Sequence, residues 1–369
     1  MDTLGVGLIG TGYMGKCHAL AWNAVASVFG DVARPRLALL CDAKEPEARA
    51  RELGFVRATQ DWRELVKDPR VDIVSIAAPN HFHADMAIAA LQNGKHVWCE
   101  KPMATALADA GRMRDAARAS GKLAVLGYNY IQNPVMRLMR KLIAEDAIGA
   151  VTHVRVEMDE DFMADASAPF SLRNERSSGY GAADDFMVHE LSLIWSLVGP
   201  VSRVSGDMAK PYADRTLPSG ARRAVETFDI ANAFLRLKNG ASGVMIANRA
   251  AWGRKGRIAV QIFGAQGSLV FDQERMNEVE MFTSDGDPAT RGFRRILAAP
   301  LHPPYGKFIP APGHSLGFND LKVIECREIL GRLRGEQTLL IDFETGYEID
   351  RTVHAIAESH ASGGWIDLS

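Results

Sequence analysis

Three closely spaced glycines near the start of the chain suit the binding of a pyrophosphate. Gly10, Gly12 and Gly15 form a G-x-G-x-x-G motif directly after an apolar run and directly before an amphipathic stretch. The first glycine permits a tight turn, the second leaves room for phosphate against the backbone, and the third lets strand and helix approach. The free N–H groups of the helix start face the phosphates. We therefore predict a dinucleotide-binding loop, which consists of Gly10, Thr11, Gly12, Tyr13, Met14 and Gly15.

Asp42 bears on which dinucleotide is bound. It ends the second apolar run, residues 36–42, where a ribose diol would lie, and its charge repels a 2′-phosphate. This favours NAD, although Lys44, Arg49 and Arg51 leave NADP open. Asp42 follows the last glycine by more than the usual ~20 residues, and we assign the excess to an enlarged loop over residues 27–35.

Lys101 is a candidate catalytic residue, and Glu100 and Lys101 are both predicted to contact the cofactor. Glu100-Lys101-Pro102 directly follows the apolar run 96–99, at the carboxyl end of a strand, where open α/β sheets bind ligands. An ammonium there can hydrogen-bond the reacting oxygen and stabilise developing negative charge. The alternative is a solvated lysine that pairs with Glu100.

A second polar stretch follows the apolar run 72–77, and it likewise lies at the carboxyl end of a predicted strand. Pro79 and Asn80 are predicted to line the cofactor site, although Asn80 could equally cap the next helix. His83 is predicted to orient or line that site. Because His81 and His83 alone offer no metal geometry, we predict no metal.

Asp185 and His189 lie four residues apart in a stretch that becomes an apolar helix, residues 179–195. Ionisable groups on a buried helix are costly unless they pair or do chemistry. An imidazole oriented by a carboxylate is a suitable base for an alcohol proton. We predict that His189 transfers the proton and that Asp185 orients it; the alternative is a purely structural pair.

The spacing of apolar runs predicts the elements that position these residues. Strands over residues 4–10, 36–42, 72–77, 96–99 and 123–126 alternate with helices such as 80–93 and 107–120, which is typical of a doubly wound parallel sheet. Later strands, at 151–157, 230–237, 242–248, 258–263 and 268–272, are separated by turn signals and predict a largely antiparallel sheet.

We therefore expect an α/β fold with two domains. Residues 1–127 form a dinucleotide-binding Rossmann domain, and residues 128–369 form an α+β domain for substrate binding and oligomerisation. Residues 283–313 are expected to form a long loop. Helices from about residue 315 are expected to pack back on the first domain.

The glycine motif, the stretches 78–83 and 94–102, and Asp185 with His189 together resemble the glucose-fructose oxidoreductase and inositol dehydrogenase (Gfo/Idh/MocA) family. The resemblance implies that Lys101 is catalytic and that the Pro79-Asn80 loop covers the nicotinamide ribose. It also implies a sugar, cyclitol or anhydrosugar substrate and a homodimer or homotetramer. Tyr180 and Met187 stand where the family has glycines, so the pocket shape is expected to differ.

The predicted reaction is the NAD-dependent oxidation of a secondary ring alcohol, or the reverse reduction. Substrate hydroxyls are expected to meet Tyr128, Asn129 and Arg173 from nearby loops. Tyr180 is expected to stack on a sugar ring, and each of the four has an ordinary structural alternative. Two alternatives stay open. One is a glycosidase of the same family that retains its NAD, and the other is a sensor that binds dinucleotide or sugar without catalysis.

Composition limits the partners and the location. The 43 basic and 45 acidic residues leave a formal net charge of −2, so we expect neither nucleic acid nor a membrane as partner. The four cysteines lack the paired spacing of zinc or redox motifs, and we predict that they are reduced thiols: Cys17, Cys41, Cys99 and Cys326. No apolar run approaches the roughly 18–20 residues of a membrane span, and we expect a cytoplasmic protein.

Overall fold

Short buried strands alternate with helices in the first part of the computed structural model, which describes residues 3–368. These elements are β1 (Gly5–Ile9), α1 (Tyr13–Phe29), β2 (Arg36–Cys41), α2 (Pro46–Leu53), β3 (Arg57–Thr59), α3 (Trp62–Lys67), β4 (Ile73–Ile76), α4 (His83–Gln92), β5 (His96–Cys99), α5 (Leu107–Ser120) and β6 (Ala124–Leu126).

Strands dominate the middle of the chain. The elements are α6 (Pro134–Ala144), β7 (Val151–Glu160), α7 (Val188–Val198), β8 (Val201–Ala209), β9 (Asp214–Thr216), β10 (Arg222–Ala224), β11 (Ile230–Leu237), β12 (Ser242–Asn248), β13 (Lys255–Gly264), β14 (Gly267–Asp272), β15 (Glu278–Thr283), β16 (Arg294–Leu297) and α8 (Tyr305–Phe308). The last elements are α9 (Phe318–Leu333), β17 (Ile341–Asp342), α10 (Phe343–Ser362) and β18 (Ile366–Asp367).

The chain divides into two compact units. The first contains the residues up to Gln132 together with Leu316–Asp350, and the second contains Asn133–Ser315 together with the residues from Arg351 onward. The first unit thus includes residues 316–350, which belong to the segment from about residue 315 that was expected to pack back on the first domain. Within residues 3–368 no helix is long and apolar enough to cross a bilayer.

The first unit is built on a seven-stranded sheet. Its strand order is β17-β6-β5-β4-β1-β2-β3, in which β1 to β6 are parallel and β17 is antiparallel to β6. Every residue of β1, β4 and β6 is buried, as the continuous apolar runs require of a sheet covered on both faces. This is the predicted Rossmann-type sheet.

The second unit is built on a nine-stranded sheet of order β16-β15-β14-β13-β7-β12-β11-β8-β18. Its neighbours are antiparallel except β7 and β12, which run parallel. Buried and exposed positions alternate along β11 and β12, because one face is covered and the other is open. The predicted α/β fold class, with a largely antiparallel second sheet, is confirmed.

Two sequence-based assignments were wrong. Helix α1 continues to Phe29, so the extra residues before Asp42 extend a helix as well as a loop, because apolar residues such as Val25 and Phe29 stay buried. The segment 283–313 is also more ordered than a long loop, since it contains β16 and α8. Its polar composition concealed an edge strand, in which β16 pairs with β15.

Gly206 gives a test of the packing in the second unit. A Cβ atom at Gly206 would lie 2.6 Å from Ile356 Cγ2 and 2.8 Å from the Ile356 carbonyl oxygen, so β8 and α10 approach at this point. We expect Gly206→Ala to lower the free energy of unfolding by about 1–3 kcal/mol, measured by denaturant titration. Gly364→Ala is the control, because its Cβ meets no atom within 4 Å. Equal effects in both variants would contradict this account.

Candidate active site

The glycine loop has the backbone geometry that phosphate binding needs. Gly10 has a φ of 89°, in the left-handed region that favours glycine, and a Cβ there would lie 2.6 Å from the Ala77 carbonyl oxygen. A Cβ at Gly15 would collide with the Gly10 carbonyl, so β1 and α1 can approach this closely only because residue 15 is a glycine. At Gly12 a Cβ would enter open space. The loop therefore leaves a cradle beside the start of α1, and its residues fit a dinucleotide.

Asp42 lies where the sequence predicted it, next to that loop. Its Oδ2 accepts hydrogen bonds from the Thr11 amide at 2.8 Å and the Thr11 hydroxyl at 2.5 Å, and its Oδ1 accepts from the Lys44 amide at 2.9 Å. Partial burial opposes ionisation, but these hydrogen bonds lower the pKa of Asp42 below its ordinary value. An ionised carboxylate is thus fixed beside the glycine loop.

A cavity of about 670 Å³ opens at this carboxylate, lined by Thr11, Gly12, Asp42, Lys44, Glu45 and Arg49. Arg49 is one of the basic residues that left NADP open as the cofactor. Its guanidinium donates to Glu52 at 2.8 Å, and Lys16 Nζ lies 3.3 Å from the same glutamate. The charge of Arg49 is therefore partly offset. Asp42 and Glu45 are the acidic residues of the cavity lining.

The Glu100-Lys101-Pro102 turn follows β5 directly, at the carboxyl end of the parallel sheet. Glu100 is 5% exposed, and its Oε1 accepts from Lys322 Nζ at 2.6 Å and lies 2.8 Å from His18 Nε2. Its Oε2 lies 3.3 Å from the Lys101 amide nitrogen, which donates to it. Lys101 itself is half-buried. The Glu100 carboxylate thus has a buried cation as counterion; its predicted contact with the cofactor stays a prediction.

His83 ties two loops of the first unit together. It is fully buried, with Nδ1 2.9 Å from the Pro102 carbonyl and Nε2 2.9 Å from the Ala78 carbonyl. Burial lowers the pKa of His83. The role as a residue that orients the site fits this geometry. Asn80 does not cap α4, which begins at His83 without a side-chain cap.

In the second unit, Asp185 lies on a π-helical turn, Ala183–Met187, that precedes α7. Hydrogen bonds of a π turn span one residue more than those of an α-helix, so the four-residue spacing to His189 does not place the two on one α-helical face. The pairing of Asp185 with His189 stays a prediction. Such turns occur frequently at functional sites.

Two arginines approach the Asp185 carboxylate. Arg173 Nη1 lies 3.1 Å and Arg249 Nη1 lies 3.7 Å from its Oδ2. Arg249 is buried and also donates to Asp229 Oδ1 at 2.7 Å. Asp185 thus lies beside two guanidinium groups. His189 is 5% exposed, on the first turn of α7.

The four predicted substrate contacts differ in accessibility. Tyr128 is 0% and Asn129 is 2% exposed, because both follow β6 into the interior, which disfavours direct substrate contact by Tyr128. The Arg173 side chain is 59% exposed, beside the Phe162 ring at 5.1 Å. The Tyr180 ring is half-buried.

Tyr180 is held by neighbours that the sequence did not reveal. Its hydroxyl lies 3.1 Å from His354 Nδ1, and the Arg176 guanidinium lies 3.9 Å from its ring centroid. The Tyr180 amide donates to the buried Asp184 carboxylate. Burial raises the pKa of Asp184 to about 6. Arg176 covers one face of the ring that was predicted to stack on a sugar.

Sequence reasoning missed Lys322, His18, Asp184 and Arg249. The one available signal for Lys322 was a lysine between two apolar residues, Leu321 and Val323, with Glu325 three residues later. The sequence around Arg249, which directly follows β12, gave no signal of a role in the site. Within residues 3–368, no group of three or more His, Cys, Asp or Glu side chains is arranged to hold a metal ion.

Known proteins resemble both units. Residues 4–128 match the model of an oxidoreductase family with an NAD-binding Rossmann fold, and residues 136–270 match the GFO/IDH/MocA C-terminal domain. Levoglucosan dehydrogenase of Pseudarthrobacter phenanthrenivorans is 34% identical over 100% of this chain and 99% of its own length. Myo-inositol 2-dehydrogenase of Thermotoga maritima is 28% identical over 78% of this chain and 80% of its own. A solved structure, levoglucosan dehydrogenase in complex with NADH and levoglucosan, is 34% identical, covers 100% of both chains and has a TM-score of 0.95.

The Asp42 carboxylate provides a test of cofactor preference. Asp42→Asn removes the charge and keeps the size, so we expect the ratio of NADP to NAD affinity to rise about 10-fold or more, because repulsion of the 2′-phosphate is lost. Dissociation constants for both dinucleotides, from fluorescence titration, measure this. Glu47→Gln, an exposed charge change on α2, is the matched control. An unchanged ratio in Asp42→Asn contradicts the assigned role.

Proposed function

Because the chain belongs to the GFO/IDH/MocA oxidoreductase family, we propose that it oxidises a secondary ring alcohol of an anhydrosugar such as levoglucosan. At the coarser level it is an NAD-dependent oxidoreductase that acts on a sugar or cyclitol. The observation that carries the proposal is the 34% identity to a levoglucosan dehydrogenase over the whole chain. Similarity to the inositol dehydrogenase is lower and covers less of the chain.

In the first unit, we infer that the Lys101 ammonium donates a hydrogen bond to the substrate oxygen. Lys101 follows β5 at the carboxyl end of the sheet, and the neighbouring Glu100 carboxylate is bonded to Lys322. A cation at the reacting oxygen stabilises the negative charge that develops there. NAD, when bound, accepts the hydride from the substrate carbon. The glycine loop and Asp42 hold the pyrophosphate and the ribose diol in this proposal.

In the second unit, His189 accepts the hydroxyl proton and returns it in the reverse direction. An imidazole is a suitable general base for an alcohol proton. Asp185 orients the imidazole, and Arg173 and Arg249 hold the Asp185 carboxylate through contacts at 3.1 Å and 3.7 Å. Arg173, which is exposed, also meets substrate hydroxyls.

A panel of substrates tests the activity. The purified chain is mixed with NAD and with one candidate substrate at a time: levoglucosan, myo-inositol or glucose. Formation of the reduced nicotinamide is followed by its absorbance. We expect the highest kcat/KM with levoglucosan. Cleavage of glycosides without accumulation of NADH would support the NAD-retaining glycosidase. Sugar binding without either reaction would support the sensor.

The two proposed catalytic residues have separate tests. We expect Lys101→Met to lower kcat by about 10²–10³-fold, because a hydrogen-bond donor to the developing charge is lost. His189→Asn removes the general base and is expected to lower kcat by about 10²–10⁴-fold. Steady-state kinetics on levoglucosan measure both, with dinucleotide binding as a check on folding. Lys67→Met, at an exposed lysine, is the control. Full activity in either active-site variant contradicts the role of that residue.

We also propose that the chain forms a homodimer or homotetramer in the cytoplasm. The open face of the nine-stranded sheet supports the assembly, because Phe234 on this face is 62% exposed between the half-exposed Asn232 and the exposed Arg236. Burial of such a face against a second copy removes apolar surface from water.

Phe234 therefore tests the assembly. Phe234→Lys places a charge in the proposed interface, and we expect the molar mass from light scattering to fall toward that of one 40.3 kDa chain. Leu301→Lys, at a residue that is 90% exposed and outside the sheet, is the control. An unchanged mass for Phe234→Lys, or a monomeric parent chain, would refute the proposed interface.

A further inference from the structure

A buried carboxylate lies directly before Asp185 in the second unit. Asp184 belongs to the same π turn and is 4% exposed. Its oxygens lie against the backbone of residues 179–182, the segment that leads into the turn, which we call the entry loop. A carboxylate enclosed to this degree is costly unless it is hydrogen-bonded. The groups that bind it therefore show what it holds in place.

The entry loop supplies these hydrogen bonds from its backbone. The Tyr180 amide donates to Asp184 Oδ2, and the Gly181 amide also bonds this carboxylate. Gly179 leaves room for the carboxylate, because a Cβ atom there would lie 2.6 Å from Asp184 Oδ2. The φ of Gly179 is 104°, in the left-handed region that favours glycine. The loop is thus folded around the Asp184 side chain.

The entry loop is also bound to the main chain at Phe228, two residues before β11. The Phe228 amide donates to the Tyr180 carbonyl at 2.8 Å, and the Ala182 amide donates to the Phe228 carbonyl at 2.7 Å. A Cβ atom at Gly181 would collide with that carbonyl, so the close approach requires a glycine. The loop therefore has two attachments, one to the chain that enters the sheet and one to Asp184.

A further hydrogen bond connects the entry loop to Asp185. The Asp185 amide donates to the Gly181 carbonyl at 3.0 Å. Gly181 thus accepts from Asp185 through its carbonyl and bonds Asp184 through its amide. Because one residue makes both bonds, the position of the Asp185 backbone depends on the position of Gly181, and the Asp184 carboxylate helps to fix that position.

The charge of Asp184 changes in an accessible pH range. Burial raises its pKa to about 6, and the two amides of the entry loop together with the Arg176 charge oppose that rise. Above this pH the carboxylate is ionised and accepts from both amides in charge-assisted hydrogen bonds. Other charged or titratable groups lie around the carboxylate and the loop: Arg176, Asp185, Arg249 and His354.

We propose that Asp184 is a positioning residue for the reaction: its buried carboxylate holds the entry loop and thereby fixes Asp185 where it orients His189. The inference rests on the proposed role of Asp185. Asp184 acts through the backbone of Gly181, so its loss displaces Asp185 without removing a reacting group. A displacement of about 1 Å can lower a rate by about 10²-fold.

The first test needs neither cofactor nor turnover. Amide hydrogen exchange, resolved to single residues of the entry loop, is measured on the full chain at about pH 8, where Asp184 is ionised. In Asp184→Leu we expect the Tyr180 and Gly181 amides to exchange about ten-fold faster or more, because their acceptor is lost. Asp184→Asn keeps one oxygen in place and should show a smaller increase. Asp165→Leu is the matched control, since Asp165 accepts from the Ser167 amide at 2.8 Å in an exposed loop of the same unit.

The parent chain carries a second form of this test. Protection of the Tyr180 and Gly181 amides, corrected for the intrinsic exchange rate, should fall as the pH is lowered through about 6, because a protonated carboxyl is a weaker acceptor than a carboxylate. The fall should be absent in Asp184→Asn, which does not titrate. This form needs no disruptive substitution, so it decides the role of Asp184 even if Asp184→Leu does not fold.

Steady-state kinetics test the link to the reaction. On the best substrate of the panel, we expect Asp184→Leu to lower kcat by about 10- to 100-fold and Asp184→Asn to recover most of this loss. The dissociation constant for NAD should stay within about two-fold of the parent value, since the glycine loop belongs to the first unit. A variant that merely folds poorly would lose NAD binding as well.

The outcomes separate this inference from the proposed function. Unchanged exchange of both amides in Asp184→Leu, or an unchanged kcat beside faster exchange, overturns the positioning role. If Asp185→Asn keeps full activity, the proposed role of Asp185 fails, while the exchange rates still decide whether Asp184 holds the entry loop.

Discussion

The enclosure of Glu100 is the constraint on which the first unit depends. A carboxylate at the end of β5 that is 5% exposed must have a counterion, and Lys322 supplies it from a helix 222 residues later in the chain. Several features follow from this pair: a glycine at position 127, a His18 imidazole beside the carboxylate, and the return of α9 to the first unit. The chemistry assigned to Lys101 uses the turn that this ion pair fixes.

Each unit fixes a carboxylate beside its candidate functional residues, by a different arrangement of neighbours. The first unit uses backbone geometry at Gly10 and hydrogen bonds from Thr11 to hold an ionised Asp42. The second unit uses arginines: Arg249 is buried against Asp229 and reaches Asp185. In both units, a residue expected to act on cofactor or substrate is held by a neighbour that takes no part in the reaction itself.

The fold and the cofactor loop could be predicted from the sequence because their signals are local. Continuous apolar runs fixed the parallel strands, and the glycine spacing with Asp42 fixed the loop. Contacts distant in sequence could not be predicted in this way, since Lys322 reads as one polar residue on a helix until α9 is placed. The π turn at Asp185 has no signal of its own, and the burial of Tyr128 depends on the packing around β6. The loop before Asp42 was predicted to begin at residue 27, but α1 continues to Phe29 and ends at Gly30, because Phe29 stays buried.

Direct hydride transfer from a ring carbon is the central claim, and isotope transfer tests it most directly. Levoglucosan deuterated at its ring carbons is incubated with the chain and NAD, and the nicotinamide and sugar products are analysed by mass spectrometry. The account predicts one deuterium in each reduced nicotinamide released and an equal amount of ketosugar. Deuterium-free dinucleotide, or a cleaved sugar with no net NADH, would contradict it.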